Sequence, residues 1–148
     1  MTTATREGYG GAIDPPPVVV VVEDDIGTLG LLADLAEDAG WEARSCRSLR
    51  QFERTLGDVD PSLIILDDEL PDGRGGEQAV RLRSNPQVSD VPVVLCTAAP
   101  QSRLTELGGK LGGTVAVVTK PFTIEDIERV LDAALRRRRR RVASTAAG

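Results

Sequence analysis

The chain contains no histidine. General-base catalysis and metal ligation by imidazole are therefore excluded. Cysteine is scarce as well, with Cys46 and Cys96 the only two. Both fall at strand-like positions and read as reduced, small, apolar residues, as expected of a cytoplasmic protein. No apolar run approaches the ~20 residues that a membrane-spanning helix needs. The N-terminus lacks the basic, apolar and small-residue order of a secretory signal. Lysine is rare: of 18 basic side chains only Lys110 and Lys120 are lysines. A lysine directly before a proline, Lys120–Pro121, therefore stands out. Aromatic residues make up 3% of the chain. None interleaves the run Arg136–Arg141, which argues against specific nucleic-acid recognition there.

What is present is a globular composition. The chain has 148 residues, 41% of them apolar, enough for one domain with a proper core. The net charge is −5, and taking away the +6 of Arg136–Arg141 leaves −11 on the remainder. An acidic body with a basic end is a poor nucleic-acid surface. The arginine run has two readings. One is a solvated continuation of the last helix, where cations are favoured. The other is a contact with nucleic acid, anionic lipid or an acidic partner.

Residues 1–17 are polar and glycine-rich, end in Pro15–Pro17, and are expected to be a disordered extension. Residues 18–135 carry the folded domain, and 136–148 a basic tail. Apolar, largely β-branched runs at Val18–Val22, Leu63–Asp67, Val91–Thr97 and Val115–Thr119 read as strands, and Trp41–Cys46 as a short second strand. Helical spacing occupies Thr28–Ala39, Ser48–Leu56, Glu77–Ser84 and Pro100–Lys110. A last helix follows Thr123, with Ile124, Ile127, Val130, Leu131, Ala134 and Leu135 as its apolar stripe. Ser48 and Thr123 suit N-caps, Gly40 suits a C-terminal stop, and Gly73–Gly76 reads as loop. This alternation predicts an α/β fold of (βα)5 type. The expected sheet is doubly wound, five-stranded and parallel, in the flavodoxin-like order 2-1-3-4-5.

In such a sheet the carboxyl ends of all strands lie on one edge, where sites are built. Glu23, Asp24, Asp67, Thr97 and Lys120 each follow or end a strand and should converge there. Three carboxylates beside one ammonium and one hydroxyl suit a hard dication such as Mg²⁺, which prefers carboxylate, carbonyl and water oxygens. They also suit phosphoryl chemistry, because cations offset the repulsion between a carboxylate nucleophile and the phosphoryl oxygens. Taken singly, each residue has a plain structural reading. Asp25 opens a helix, Asp68 faces solvent, Thr97 is a β-branched strand residue, and Lys120–Pro121 is loop.

The segments VVVVVEDD, LIILDDELPDGRGG, VPVVLCTA and TKPF occur in this order across residues 18–135. Together they resemble the receiver domain of bacterial two-component response regulators. The resemblance implies that Asp67 is the phosphoacceptor and that Glu23 and Asp24 hold Mg²⁺. It gives Glu69 a metal contact through its backbone carbonyl. Thr97 becomes the hydroxyl that moves to the phosphoryl oxygens, and Lys120 the cation that pairs with the acceptor and then with the phosphoryl group. Pro121 is expected to follow a cis bond. The implied partners are a histidine kinase or phosphotransfer protein and a downstream effector protein, with a homodimer possible. Enzymatic activity is expected only as weak self-phosphorylation and self-dephosphorylation.

The chain departs from that family three residues before the lysine, where Val117 replaces the usual aromatic residue or histidine. This motivates an alternative, a pseudo-receiver acting as a constitutive interaction module. Glu69 and Ala99 stand at positions that tune phosphoryl lifetime in the family. A haloacid-dehalogenase-like phosphatase also uses a strand-end aspartate, but its second acid would be Glu69, directly before Leu70–Pro71. That context fits the receiver pattern better. No phosphate loop for a flavin follows the first strand.

Overall fold

The computed structural model describes residues 15–112 and 114–147. Of the expected N-terminal extension only Pro15–Pro17 falls among them. The strands of the sheet are β1 (Val18–Val22), β2 (Glu42–Cys46), β3 (Leu63–Asp67), β4 (Val93–Thr97) and β5 (Val115–Thr119). The helices are α1 (Ile26–Asp38), α2 (Leu49–Leu56), α3 (Gly75–Leu82), α4 (Pro100–Leu107) and α5 (Ile124–Ala147). All sheet pairings are parallel, in the order β2-β1-β3-β4-β5. The expected topology is the observed one.

Period-two alternation along the strands feeds a core on each face. Val20, Val22, Ile64, Leu66 and Leu95 pack with Leu49, Phe52, Leu56, Ala79, Leu82 and Leu107 from α2, α3 and α4. Val19, Val21, Leu63, Ile65 and Val94 pack with Leu29, Leu32, Ala36, Ile127 and Leu131 from α1 and α5. The central strand β3 is buried along its whole length, as a parallel strand covered on both faces must be.

Local chemistry fixes the helix starts. Asp25 caps α1 by accepting from the Thr28 amide at 2.9 Å. Ser48 caps α2 through the Gln51 amide at 3.1 Å. At α5, Thr123 Oγ1 accepts from the Asp126 amide at 3.0 Å, while Asp126 Oδ2 accepts from the Thr123 amide at 2.9 Å. This is a reciprocal capping box.

Several boundaries differ from expectation; α1, for instance, begins at Ile26 and not at Thr28. Helix α3 begins at Gly75, two residues before the expected Glu77, and Glu69–Leu70 pairs antiparallel with Gly73–Arg74 in a short ladder. The glycines are there for close approach: a Cβ on Gly75 would collide with the Asp67 carbonyl oxygen. Helix α4 stops at Leu107 and passes into a 3₁₀ turn, Gly108–Leu111, where Gly108 takes φ +58°. Helix α5 continues through Arg136–Arg141 to Ala147. Arg137 Nη2 there donates to the Asp90 carbonyl at 3.2 Å. Arg137, Arg138 and Arg141 line a groove with Pro61, Val91 and Pro92.

Phe52 is fully buried against the sheet. Phe52→Ala is expected to lower unfolding free energy by about 3–5 kcal/mol through lost burial and the cavity left behind. Denaturant unfolding of both proteins checks this, and a loss below about 1 kcal/mol contradicts the packing described.

Candidate functional site

The site forms because each strand hands its next residue to the same edge. Ladder hydrogen bonds run just past the strands. The Glu23 amide donates to Cys46 O at 2.9 Å, the Asp68 amide to Cys96 O at 2.9 Å, and the Lys120 amide to Thr97 O at 2.8 Å. Glu23, Asp67 and Lys120 are thereby held at fixed heights along one edge, although Glu23 and Lys120 stand 97 residues apart in sequence.

Lys120 Nζ donates to Asp67 Oδ1 at 3.1 Å and to Glu23 Oε1 at 3.2 Å. Glu23 Oε2 accepts from the Asp25 amide at 3.1 Å. Glu23 and Asp67 are buried and Asp24 is exposed. Carboxylate oxygens of Glu23, Asp24 and Asp67 all lie within 4.8 Å of one another. The residue before Lys120 and the lysine itself lead into a cis bond to Pro121, as expected.

Burial pushes the Glu23 carboxyl up, and the Asp67 charge adds to this against the bonds from Asp25 and Lys120. Burial works against the Lys120 ammonium, but its bonds to and charge attraction for Asp67 and Glu23 outweigh that and raise it. Lys120 therefore stays cationic. Burial also pushes the neighbouring Cys96 thiol up to about 12, which removes a soft thiolate from the donor set. What remains is hard oxygen, the donor chemistry of Mg²⁺. Glu23, Asp24 and Asp67 are the residues able to hold it.

Of the residues picked out in the sequence, Glu23, Asp24, Asp67 and Lys120 come together. Thr97 is buried at the adjacent strand end, and its Oγ1 accepts from the Ala99 amide at 3.1 Å. Glu69 stands in the short ladder opposite Arg74 with an exposed side chain.

Asp68 overturns its expectation. It does not face solvent but is fully buried. Its carboxylate accepts from the Gly76 amide at 2.9 Å, from Arg74 Nη2 at 2.9 Å and from both Nε and Nη2 of Arg103. Burial alone would raise this carboxyl, but the bonds from Arg103, Gly76 and Arg74 hold it below the usual carboxylate range. Sequence reasoning missed Arg103 entirely. A signal existed: Arg103 and Leu107 are four apart, so an arginine shares the buried stripe of α4.

A family model for the response regulator receiver domain matches residues 19–132. The chain belongs to this family. Among curated relatives, the phosphate regulon transcriptional regulatory protein PhoB of Pseudomonas aeruginosa is 30% identical over 119 residues, covering 80% of this chain and 52% of that protein. The polar-differentiation response regulator DivK of Brucella ovis is 28% identical over 110 residues, covering 72% of this chain and 85% of DivK. The chain spans about half the length of the transcriptional regulators it matches. Among solved structures, the chemotaxis response regulator CheY4 of Vibrio cholerae superposes with TM-score 0.72 at 23% identity, over 80% of this receiver and 98% of that chain. A receiver domain of a Pseudomonas aeruginosa sensor histidine kinase superposes with TM-score 0.69 at 19% identity, over 80% and 96%, and carries a magnesium ion in its active-site cleft. Receivers are signalling modules of two-component systems. Among the described residues, no helix is long and apolar enough to cross a membrane.

The raised Glu23 carboxyl gives a pH signature. Below its ordinary value of 4.5 the group is protonated both folded and unfolded, and it costs nothing. As pH rises the unfolded chain ionises first, so the folded state loses stability relative to it. Without divalent cations, Glu23→Gln is therefore expected to match wild type near pH ~4 and to exceed it in stability near pH ~7. Denaturant unfolding in chelator at both pH values measures the gap, and a gap that closes on raising the pH contradicts the assignment.

Proposed function

We propose that this receiver is a phosphorylation-dependent switch that takes a phosphoryl group on Asp67 from a histidine kinase or phosphotransfer protein. The observation that carries this is the single ammonium of Lys120 bonded to both Asp67 and Glu23, beside the oxygen cluster completed by Asp24. An Asp67 carboxylate oxygen attacks phosphorus. The P–N bond to the donor histidine breaks, its electron pair stays on the imidazole, and an aspartyl phosphate forms. Lys120 keeps its charge throughout and follows the negative charge from the carboxylate to the phosphoryl oxygens. Thr97 gives up its bond to the Ala99 amide and offers its hydroxyl to the same oxygens. Glu23, Asp24, Asp67 and the Glu69 backbone carbonyl hold Mg²⁺. When bound, that ion neutralises phosphoryl charge as a Lewis acid. Loss of the group by attack of water is slow self-dephosphorylation, with Glu69 and Ala99 flanking the approach.

Phosphorylation then changes affinity for an effector protein. The effector, the cytoplasmic setting and any homodimer belong to the same proposal. So does the division into residues 18–135 as the receiver and 136–148 as a basic extension.

Intact-mass spectrometry after incubation with a small-molecule phosphodonor and Mg²⁺ tests the proposal. Wild type is expected to gain one labile phosphoryl group, and Asp67→Asn none. No gain on wild type, where a control receiver is labelled, would replace the switch with a constitutive interaction module.

Mg²⁺ is also expected to raise the unfolding midpoint. Saturation at 100 times Kd corresponds to about 2.7 kcal/mol. Asp24→Asn should lose most of this stabilisation in the same thermal scan, and an undiminished response in that variant contradicts the metal assignment.

A further inference from the structure

Asp68 is covalently next to the acceptor, and two helices meet on its carboxylate. From α3, the Gly76 amide donates to Oδ1 at 2.9 Å. From α4, Arg103 donates through Nε to Oδ2 and through Nη2 to Oδ1, the latter at 3.0 Å. Both partners are buried, Asp68 at 0% and Arg103 at 3% exposure. This is a bidentate fork in a dry setting, the strongest geometry an arginine makes. The seat is shaped for it, because a Cβ on Gly76 would lie 2.5 Å from Arg103 Nη2. Arg103 donates further to Glu77 Oε1 at 2.6 Å and to Glu106 Oε1 at 2.9 Å. The main chain of Asp68 is held equally well. Its amide donates to Cys96 O at 2.9 Å and its carbonyl accepts from the Gly75 amide at 3.0 Å.

A buried ion pair contributes little stability over an apolar pair of the same size. It does fix position. The buried residues of α4 are Arg103 and Leu107 alone. The attachment of this helix therefore rests on one leucine and one guanidinium, and the guanidinium grips the residue after Asp67.

We propose that Arg103 is a positioning residue of the acceptor site: by its fork on Asp68 it ties α4 to the segment carrying Asp67, so that the phosphoryl state of Asp67 sets the position of α4. This rests on the reading of Asp67 as phosphoacceptor. The tie works in both directions, since coupling between two sites is reciprocal. A partner bound on α4 changes how readily Asp67 is modified.

The test follows backbone amide shifts of the ¹⁵N-labelled full chain before and after Mg²⁺ and a small-molecule phosphodonor, with intact mass read in parallel. In wild type, amides of 67–70 and of 100–107 are both expected to shift. The double variant Asp68→Leu with Arg103→Leu removes both buried charges together and strands neither. It is expected to fold and gain the phosphoryl mass, with shifts near Asp67 kept and the α4 response lost. Arg103→Lys keeps the charge but cannot make the two-bonded fork and leaves Leu107 in place; it is expected to weaken the α4 response and decides the matter if the double variant does not fold. An α4 response equal to wild type in either folded variant overturns the proposal. So do unmoved α4 amides in a wild type that shifts near Asp67. Wild type that gains no mass sinks the acceptor reading itself, a different outcome from any of these.

Discussion

The acidic edge exists because one lysine crosses it. In the sheet, β5 lies two places from β3 and three from β1, so the strand ends that Lys120 must join are about 10–15 Å apart. A flexible four-carbon stem reaches inward from just beyond β5 past the end of β4, and the carboxylates of Asp67 and Glu23 extend to meet its ammonium. Two buried carboxylates then face one cation, and burial together with the Asp67 charge pushes the Glu23 carboxyl up. The folded chain carries this imbalance at its edge and draws its stability elsewhere, from the two apolar cores that clamp β3. Site and core are thus separated along β1, β3 and β5: apolar residues fill these strands, and charge begins at or just past their carboxyl ends.

That separation is why the fold and the acidic cluster were legible in the sequence. A parallel strand buried on both faces has to be written as an unbroken apolar run, and Val18–Val22 and Leu63–Leu66 are such runs. The charged residue after each run then marks the edge. Lys120 stood out because lysine is so rare in this chain. Helix starts were legible where a side chain caps, as at Ser48 and Thr123. They were not legible at Gly75 and Gly76. Consecutive glycines spell loop when only φ and ψ freedom is considered, but here they serve close packing inside the first turn of α3, against the Asp67 carbonyl and the Arg103 guanidinium. Local propensity carries no record of what lies across a contact.

Asp68 was unreadable for a related reason. An aspartate at a strand end reads as solvated unless its partner is known, and the partner comes 35 residues later, on another helix. Burial of a charge is a property of a pair. Neither Asp68 nor Arg103 would be buried alone, because an unpaired charge in the interior is far costlier than a paired one. The clue lay in the helix pattern of PQSRLTEL, where an arginine takes a place on the inward stripe.

The pair bears on how a change at the edge could leave it. Helices α1 and α5 are anchored by leucine and isoleucine on the sheet, and moving either would expose much apolar surface. Helix α4 has one buried leucine, ends in glycines, and runs into a 3₁₀ turn. Elements that move in a switch come from the weakly held end of a structure, and α4 is weakly held by apolar contact. Val117 on β5, half-buried beneath it, has no aromatic ring to swing in or out. The buried hold on α4 is therefore largely electrostatic, a guanidinium directed at the Asp68 carboxylate with half-exposed Glu77 of α3 beside it. A turn of the Asp68 carboxylate misaligns both hydrogen bonds of the fork at once, whereas an apolar contact has no preferred direction. A helix held by a fork is thus sensitive to the orientation of one side chain, and that side chain belongs to the residue next to Asp67.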